Sequence, residues 1–168
     1  MAAGKPLPFD PIAEAARQWA EHGWGTSAPG MAAVTSVVRV QQIMMARVEE
    51  VLRPHDLSFA RYELLTLLHF SRSGSMPLAR IGARLQVHPA SITNAVDRCE
   101  AQGLVRRLPH PSDRRTTLAE LTPAGRDLVL KATDSLNREV FHDLGISQDD
   151  VDTLVSILGR FRAGHGDF

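Results

Sequence analysis

Residues 77–125, PLARIGARLQVHPASITNAVDRCEAQGLVRRLPHPSDRRTTLAELTPAG, decide the fold of this 168-residue chain. Leu78, Ile81 and Leu85 recur at helical spacing and predict a short helix over about 77–85, with one apolar face turned inward. Gln86-Val87-His88 makes a turn. Pro89 and Gly103 then bracket a second helix over about 89–102, proline at its first position and glycine just past its end. The inward face of this helix is Ile92, Val96 and either Cys99 or Ala101. Its outward face is Ser91, Thr93, Asn94, Asp97 and Arg98. Leu104–Leu108 reads as a strand, Pro109–Asp113 as a turn-rich tip and Thr116–Leu121 as the returning strand. Thr122-Pro123 supplies an N-cap and a proline for the first helical position, so another helix starts there. The expected fold class is therefore mainly α with a small β-hairpin, an α+β arrangement built around a helix-turn-helix and a wing.

Helices are expected on both sides of this segment. Asp10-Pro11 starts one that reaches about His22 and carries Ile12, Ala15, Ala16 and Trp19 on one face, before Gly23, Gly25, Pro29 and Gly30 interrupt it. Residues 1–8 read as a flexible lead. From about 31 to 53, Val34, Val38, Gln41, Met45, Val48 and Leu52 form one stripe with a single polar member, and Pro54 ends it. Ser58 caps a helix to about Phe70, and the serine-rich run to Pro77 reads as a loop. The helix from Thr122 is expected to reach about Asp143. Ser147 caps a last one, with acids in its first turn and Val151, Leu154, Val155, Leu158 and Phe161 on its apolar face. The domain organisation that follows is an N-terminal extension (1–30), two blocks of dimerisation helices (31–57 and 122–168) and a winged helix-turn-helix domain (58–121). The long first helix and the last two have more apolar surface than the small winged domain needs, which implies a homodimer.

The formal net charge is zero, but the charge is unevenly spread. Residues 1–79 balance, residues 80–126 hold eight basic against four acidic residues, and residues 127–168 hold four against eight. A local positive field arises in the middle segment whatever the total, and the acidic C-terminal part is expected to face away from a polyanion. The single cysteine, Cys99, excludes an intrachain disulfide, and no apolar run is long enough to span a bilayer. The expectation is a cytoplasmic protein with no membrane partner. No P-loop, GxGxxG, GxSxG, HExxH or CxxC pattern occurs, so neither an enzyme nor a metal or other cofactor is expected. His55, His88 and His110 fall in loops as solvated histidines. Cys99 lies on the inward face of its helix and reads as a buried structural thiol, with a redox role as the competing reading.

The helix over 89–102 presents hydroxyls and an amide of the kind that meet base edges in a major groove about 12 Å wide. Asn94 suits a bidentate contact to adenine, Ser91 and Thr93 suit bases or phosphates, and Arg98, one turn later, suits guanine or the backbone. Pro89 sets the start of this face. Arg106, Arg107, His110, Arg114 and Arg115 crowd the hairpin and its tip, where cations suit the negative potential of a minor groove. Double-stranded DNA is the partner these features imply. A winged helix used for protein contacts without DNA is the alternative.

The stretch Asp113-Arg114-Arg115 followed by Leu121-Thr122-Pro123-Ala124-Gly125 resembles the wing motif of MarR-family transcriptional regulators, in which D-x-R precedes a strand and L-T-x-x-G opens the next helix. The resemblance covers about residues 31–162, including the S-x-T-N element of Ser91–Asn94 and the pair Gly103-Leu104. It implies an intertwined homodimer whose terminal helices form the interface, a repressor on a pseudopalindromic operator, and release by a small anionic or aromatic ligand. By the same resemblance Arg115 enters the minor groove and Asp113 holds its guanidinium in a charge-assisted pair. The extra N-terminal helix with Trp19 is similar to the urate-responsive subgroup, whose effector site maps to Trp19, Glu63, Ala95 and Arg107. Here Ala95 stands where that subgroup has an arginine, and Glu63 where it has an aspartate. Two other readings stay open: Trp19 as plain packing of the extra helix, and Glu63 with Arg107 as a structural ion pair.

Overall fold

A computed structural model describes residues 6–113 and 115–168. The start of the expected lead (residues 1–5) and the wing position Arg114 lie outside the described residues. The chain divides into two compact units, residues 1–47 and 48–168.

In the first unit, α1 (Pro11–Trp19) is capped by Asp10, whose side chain accepts from the Ile12 backbone N–H at 2.9 Å. The expected helix to His22 is α-helical only to Trp19. It then widens into a π-helical turn, Ala20–Trp24, in which Gly23 adopts φ 88°. The turn brings the rings of Trp19 and Trp24 to 5.0 Å. The next helix, α2 (Ala28–Leu52), starts earlier than expected because Pro29 falls in its first turn, where a missing N–H costs nothing. Val34, Val37, Val38, Val40 and Ile43 along it are exposed.

The second unit holds the main core. After a short 3₁₀ turn at Arg53–His55 come α3 (Phe59–Phe70), β1 (Ser75–Pro77), α4 (Leu78–Leu85), α5 (Pro89–Ala101), β2 (Val105–Pro109) and β3 (Thr117–Leu121). The chain continues through α6 (Pro123–Leu136), a π-helical turn at Asn137–Phe141, and α7 (Gln148–Gly164). Leu52, Leu64, Leu65, Leu68, Ile81, Val96, Cys99 and Leu136 are fully buried together, a continuous apolar cluster that fixes how the helices pack on the sheet. The helix expected to run from Thr122 to Asp143 is α-helical only to Leu136.

The sheet is antiparallel in the order β1-β3-β2. Its third strand is a correction: Ser75–Pro77, expected as loop, pairs with β3 through Ser75 with Glu120 and Pro77 with Leu118. Three residues are too few for a period-two pattern, and the partner strand lies some forty residues on, so the pairing is a tertiary event.

Two close fits position the wing. At the end of α5, Gly103 takes φ 71°, and the backbone N–H groups of Gly103 and Leu104 close on the carbonyls of Glu100 (2.9 Å) and Cys99 (2.8 Å). This left-handed C-terminal cap turns the chain from helix into β2. At the start of α6, Thr122 accepts from the Gly125 N–H (3.0 Å), while its own hydroxyl donates to the Gly103 carbonyl (2.7 Å). The Thr122 backbone N–H donates to the Leu104 carbonyl at 3.1 Å. That carbonyl lies so near Gly125 that a Cβ there would fall 2.1 Å from it. The glycine of the LTPAG motif is thus a packing requirement between α6 and the root of the wing.

Candidate nucleic-acid interface

The outward side of α5 is as expected from its spacing. Ile92, Ala95, Val96 and Cys99 are buried, and Pro89, Ser91, Thr93, Asn94, Asp97 and Arg98 are exposed. Between the two inward candidates at its end, Cys99 is buried and Ala101 exposed, because the left-handed cap turns the chain immediately after it. His88 caps the helix by accepting from the Ala90 N–H at 3.2 Å. Thr93 donates to the Pro89 carbonyl at 3.2 Å, and Arg98 Nε donates to Asn94 Oδ1 at 3.0 Å. Asn94 and Arg98 therefore present one joined amide–guanidinium surface. Asn94 keeps its NH₂ donors and Arg98 its terminal nitrogens for another partner.

The hairpin arginines sort into distinct roles. Arg106 is tied across the strands to Glu120. Arg107 reaches from β2 back to α5. Its guanidinium binds Asp97 at 2.6 Å and Glu100, its backbone N–H donates to Glu100 at 2.9 Å, and it reaches the Thr93 carbonyl at 3.5 Å. The Arg107 side chain is 26% exposed. Burial works to lower its pKa, but its bonds to Glu100 and Asp97 outweigh burial and raise it. The Glu100 carboxyl is held below the usual carboxylate range, first by the Arg107 backbone N–H and then by its side chain. Arg107 is thus a strut between α5 and the hairpin, and its one positive charge offsets part of the charge of two acids beside the polar face. The structural ion pair read between Glu63 and Arg107 is corrected: the partners of Arg107 are Asp97 and Glu100. The spacing of these acids, i and i+3, was the signal that both lie on one side of α5.

At the tip, His110 donates its backbone N–H to the Thr116 carbonyl (3.1 Å), and its Nδ1 accepts from the Ser112 N–H (3.3 Å). Asp113 accepts from the Arg115 backbone N–H (3.0 Å) and the Thr116 hydroxyl (2.6 Å). Those bonds, Thr116 first, lower its pKa. The expected charge-assisted pair between Asp113 and the Arg115 guanidinium is therefore corrected. The carboxylate is taken up by the turn, and a two-residue separation delivers it to a backbone N–H more readily than to the end of a long side chain. The exposed Arg115 guanidinium carries no ion pair among the described residues.

Of the effector positions, Trp19 belongs to the N-terminal unit, Glu63 and Arg107 to the second. Glu63 is partly buried on α3, and burial raises its pKa. Ala95 is buried in the core. Cys99 is buried too, and burial pushes its thiol up to about 11. Among the described residues no group of three or more histidine, cysteine or acidic side chains is placed to hold a metal, and no helix is long and apolar enough to cross a membrane.

Known proteins share this fold. The sequence model of the MarR family matches residues 57–117. The chain is 37% identical over 84 residues to the uncharacterized HTH-type transcriptional regulator YhbI of Bacillus subtilis, a match spanning 50% of this chain and 53% of that protein, so it covers about half the relative's length. Among solved structures, Sco5413, a MarR family transcriptional regulator from Streptomyces coelicolor, is 44% identical with a TM-score of 0.77, over 83% of this chain and 97% of that one. A mutant of MarR from E. coli, crystallised with operator DNA, shares the fold at a TM-score of 0.70 and 24% identity, over 76% of this chain and 91% of that one.

Proposed function

This chain belongs to the MarR family, and on that premise we propose that it is a transcriptional repressor that binds a pseudopalindromic operator as a homodimer. The observation that carries the reading is the division of labour on the hairpin. Arg106 and Arg107 neutralise neighbouring acids, while Arg115 stands exposed at a tip stiffened by Asp113. In this reading α5 enters the major groove, with Ser91, Asn94 and Arg98 toward base edges and Pro89 and Thr93 near the backbone. The wing places Arg115, with Arg114 and His110, at the adjacent minor groove. Arg107 serves indirectly. With Asp97 and Glu100 sharing its one positive charge, their repulsion of phosphate is weakened.

Dimerisation accounts for the apolar surface left over. Helix α7 buries none of its residues, and Val155, Ile157, Leu158 and Phe161 are exposed. Exposed valines also run along α2. Exposed apolar residues grouped along a helix in this way mark an interface. Residues 31–57 and 122–168 are assigned to it, 58–121 to DNA binding and 1–30 to an N-terminal extension. Two-fold symmetry then sets two copies of α5 about one helical turn of DNA apart.

Release by a small anionic or aromatic ligand follows from the same strut. A ligand that draws Arg107 from Asp97 and Glu100 uncovers two carboxylates beside the DNA face and loosens the wing. Within the second unit, Glu63 and Arg107 are the positions assigned to such an effector. The cellular site for this activity is the cytoplasm.

The test is selection of binding sites from random duplexes, followed by a salt series on the winning site. The expected outcome is a palindromic motif and log Kd linear in log salt. No enrichment, together with binding indifferent to salt, overturns the reading and favours a winged helix used for protein contacts.

A further inference from the structure

A second cationic feature lies outside the α5–wing surface. The turn after α3 and the exposed side of α4 border a half-open cleft of about 410 Å³, whose polar lining is Arg72, Arg80 and Arg84 and the serines at 71, 73 and 75. No carboxylate lines it. None of the three guanidiniums has an acidic partner among the described residues, in contrast to Arg106 and Arg107 on the wing.

The corner is built, not merely crowded. Ser71 and Ser73 each donate to the Ser75 carbonyl at 3.0 Å, and Ser75 donates back to the Ser73 hydroxyl at 3.2 Å, so the turn is cross-braced by its own side chains. The Gly74 carbonyl accepts from the Leu121 N–H at 2.8 Å, which fastens the turn to the sheet. Arg80 and Arg84 lie one helical turn apart on α4 and share one side of it. Three like charges around one solvent-filled space repel one another unless an anion sits between them, and guanidinium forks match the tetrahedral oxygens of phosphate bidentately.

We propose that the Arg72–Arg80–Arg84 corner is a binding site for a phosphate-class oxyanion. The phosphate comes either from a DNA backbone beyond the α5–wing footprint or from a free phosphorylated solute. The DNA source rests on the function proposed above; the solute source does not.

The experiment uses the full chain and the Arg80→Ala/Arg84→Ala double variant, whose changes lie on exposed positions and leave the core intact. Pyrophosphate is titrated while the arginine Nε–Hε NMR signals are followed, and random-sequence duplex is titrated across a salt series. In the first arm, wild type shifts the signals of the corner and the variant binds about ten-fold more weakly or worse. In the second arm, the variant's log Kd against log salt is shallower by about 2 to 4, the loss of one or two phosphate contacts from each protomer of the dimer. An effect in the first arm alone assigns the site to a solute; in the second alone, to DNA. Either supports the proposal. Unchanged behaviour in both arms overturns it. Should wild type bind no duplex at all, the function proposed above fails while the pyrophosphate arm still decides the corner.

Discussion

Asp113 is bonded to the backbone of Arg115, not to its side chain: the carboxylate accepts from the Arg115 N–H at 3.0 Å and leaves the guanidinium available to another partner. An acid at the centre of a cationic tip thereby becomes a turn-former. Its second oxygen takes the Thr116 hydroxyl at 2.6 Å.

This arrangement sets a pH dependence. Asp113's pKa is lowered in the folded chain, so its contribution is complete above the ordinary aspartate value and disappears as pH falls through the lower folded value. The Arg115 amide NMR shift should titrate with an apparent pKa below about 3.9. Titration at the ordinary value would mean the turn does not hold in solution. Asp113→Ala should broaden the tip resonances and weaken duplex binding, with only a small loss of global stability.

Arg115 and Arg107 should separate into different phenotypes. Arg115→Ala is expected to cost about 1–3 kcal/mol of operator affinity with the melting curve unmoved. Arg107→Ala should cost about 1 kcal/mol of stability, because it breaks the link between α5 and β2, and should also weaken binding by unmasking Asp97 and Glu100. Adding Asp97→Asn and Glu100→Gln to Arg107→Ala should restore part of the affinity. No restoration would reject the masking role.

Gly125 and Gly103 differ in why they are glycine. Gly125→Ala places a Cβ against the Leu104 carbonyl and Leu121, and should destabilise by about 1–3 kcal/mol or more in urea unfolding. Gly103→Ala meets no atom within 4 Å and bears only the strain of its left-handed backbone, about 1–2 kcal/mol. Equal tolerance of both would contradict the close approach of α6 to the wing root.

Cys99 should be inert. With the thiol buried and pushed up to about 11, native protein at neutral pH should resist a thiol reagent that labels the unfolded chain promptly. Rapid native labelling would reopen its reading as a redox sensor.

Phe161→Asp with Val155→Asp should convert the dimer to monomer in sedimentation and remove the concentration dependence of its melting temperature, since both side chains are exposed in the single chain. A variant that remains dimeric would place the interface elsewhere.

Apart from β1, the order of elements from α3 to α6, and the inward and outward faces of α5, could be read from the chain alone. Helical periodicity, caps and turn residues act within a few positions, so Pro89, Gly103 and Thr122 announce their elements locally. Tertiary structure decided everything that depends on two distant segments meeting. It paired Ser75–Pro77 with β3, turned Arg107 toward Asp97 and Glu100, sent Asp113 to a backbone N–H, and gathered Arg80 and Arg84 beside Arg72. Sequence spacing constrains which face a side chain occupies. Which partner it finds there depends on distances that exist only after the core has closed.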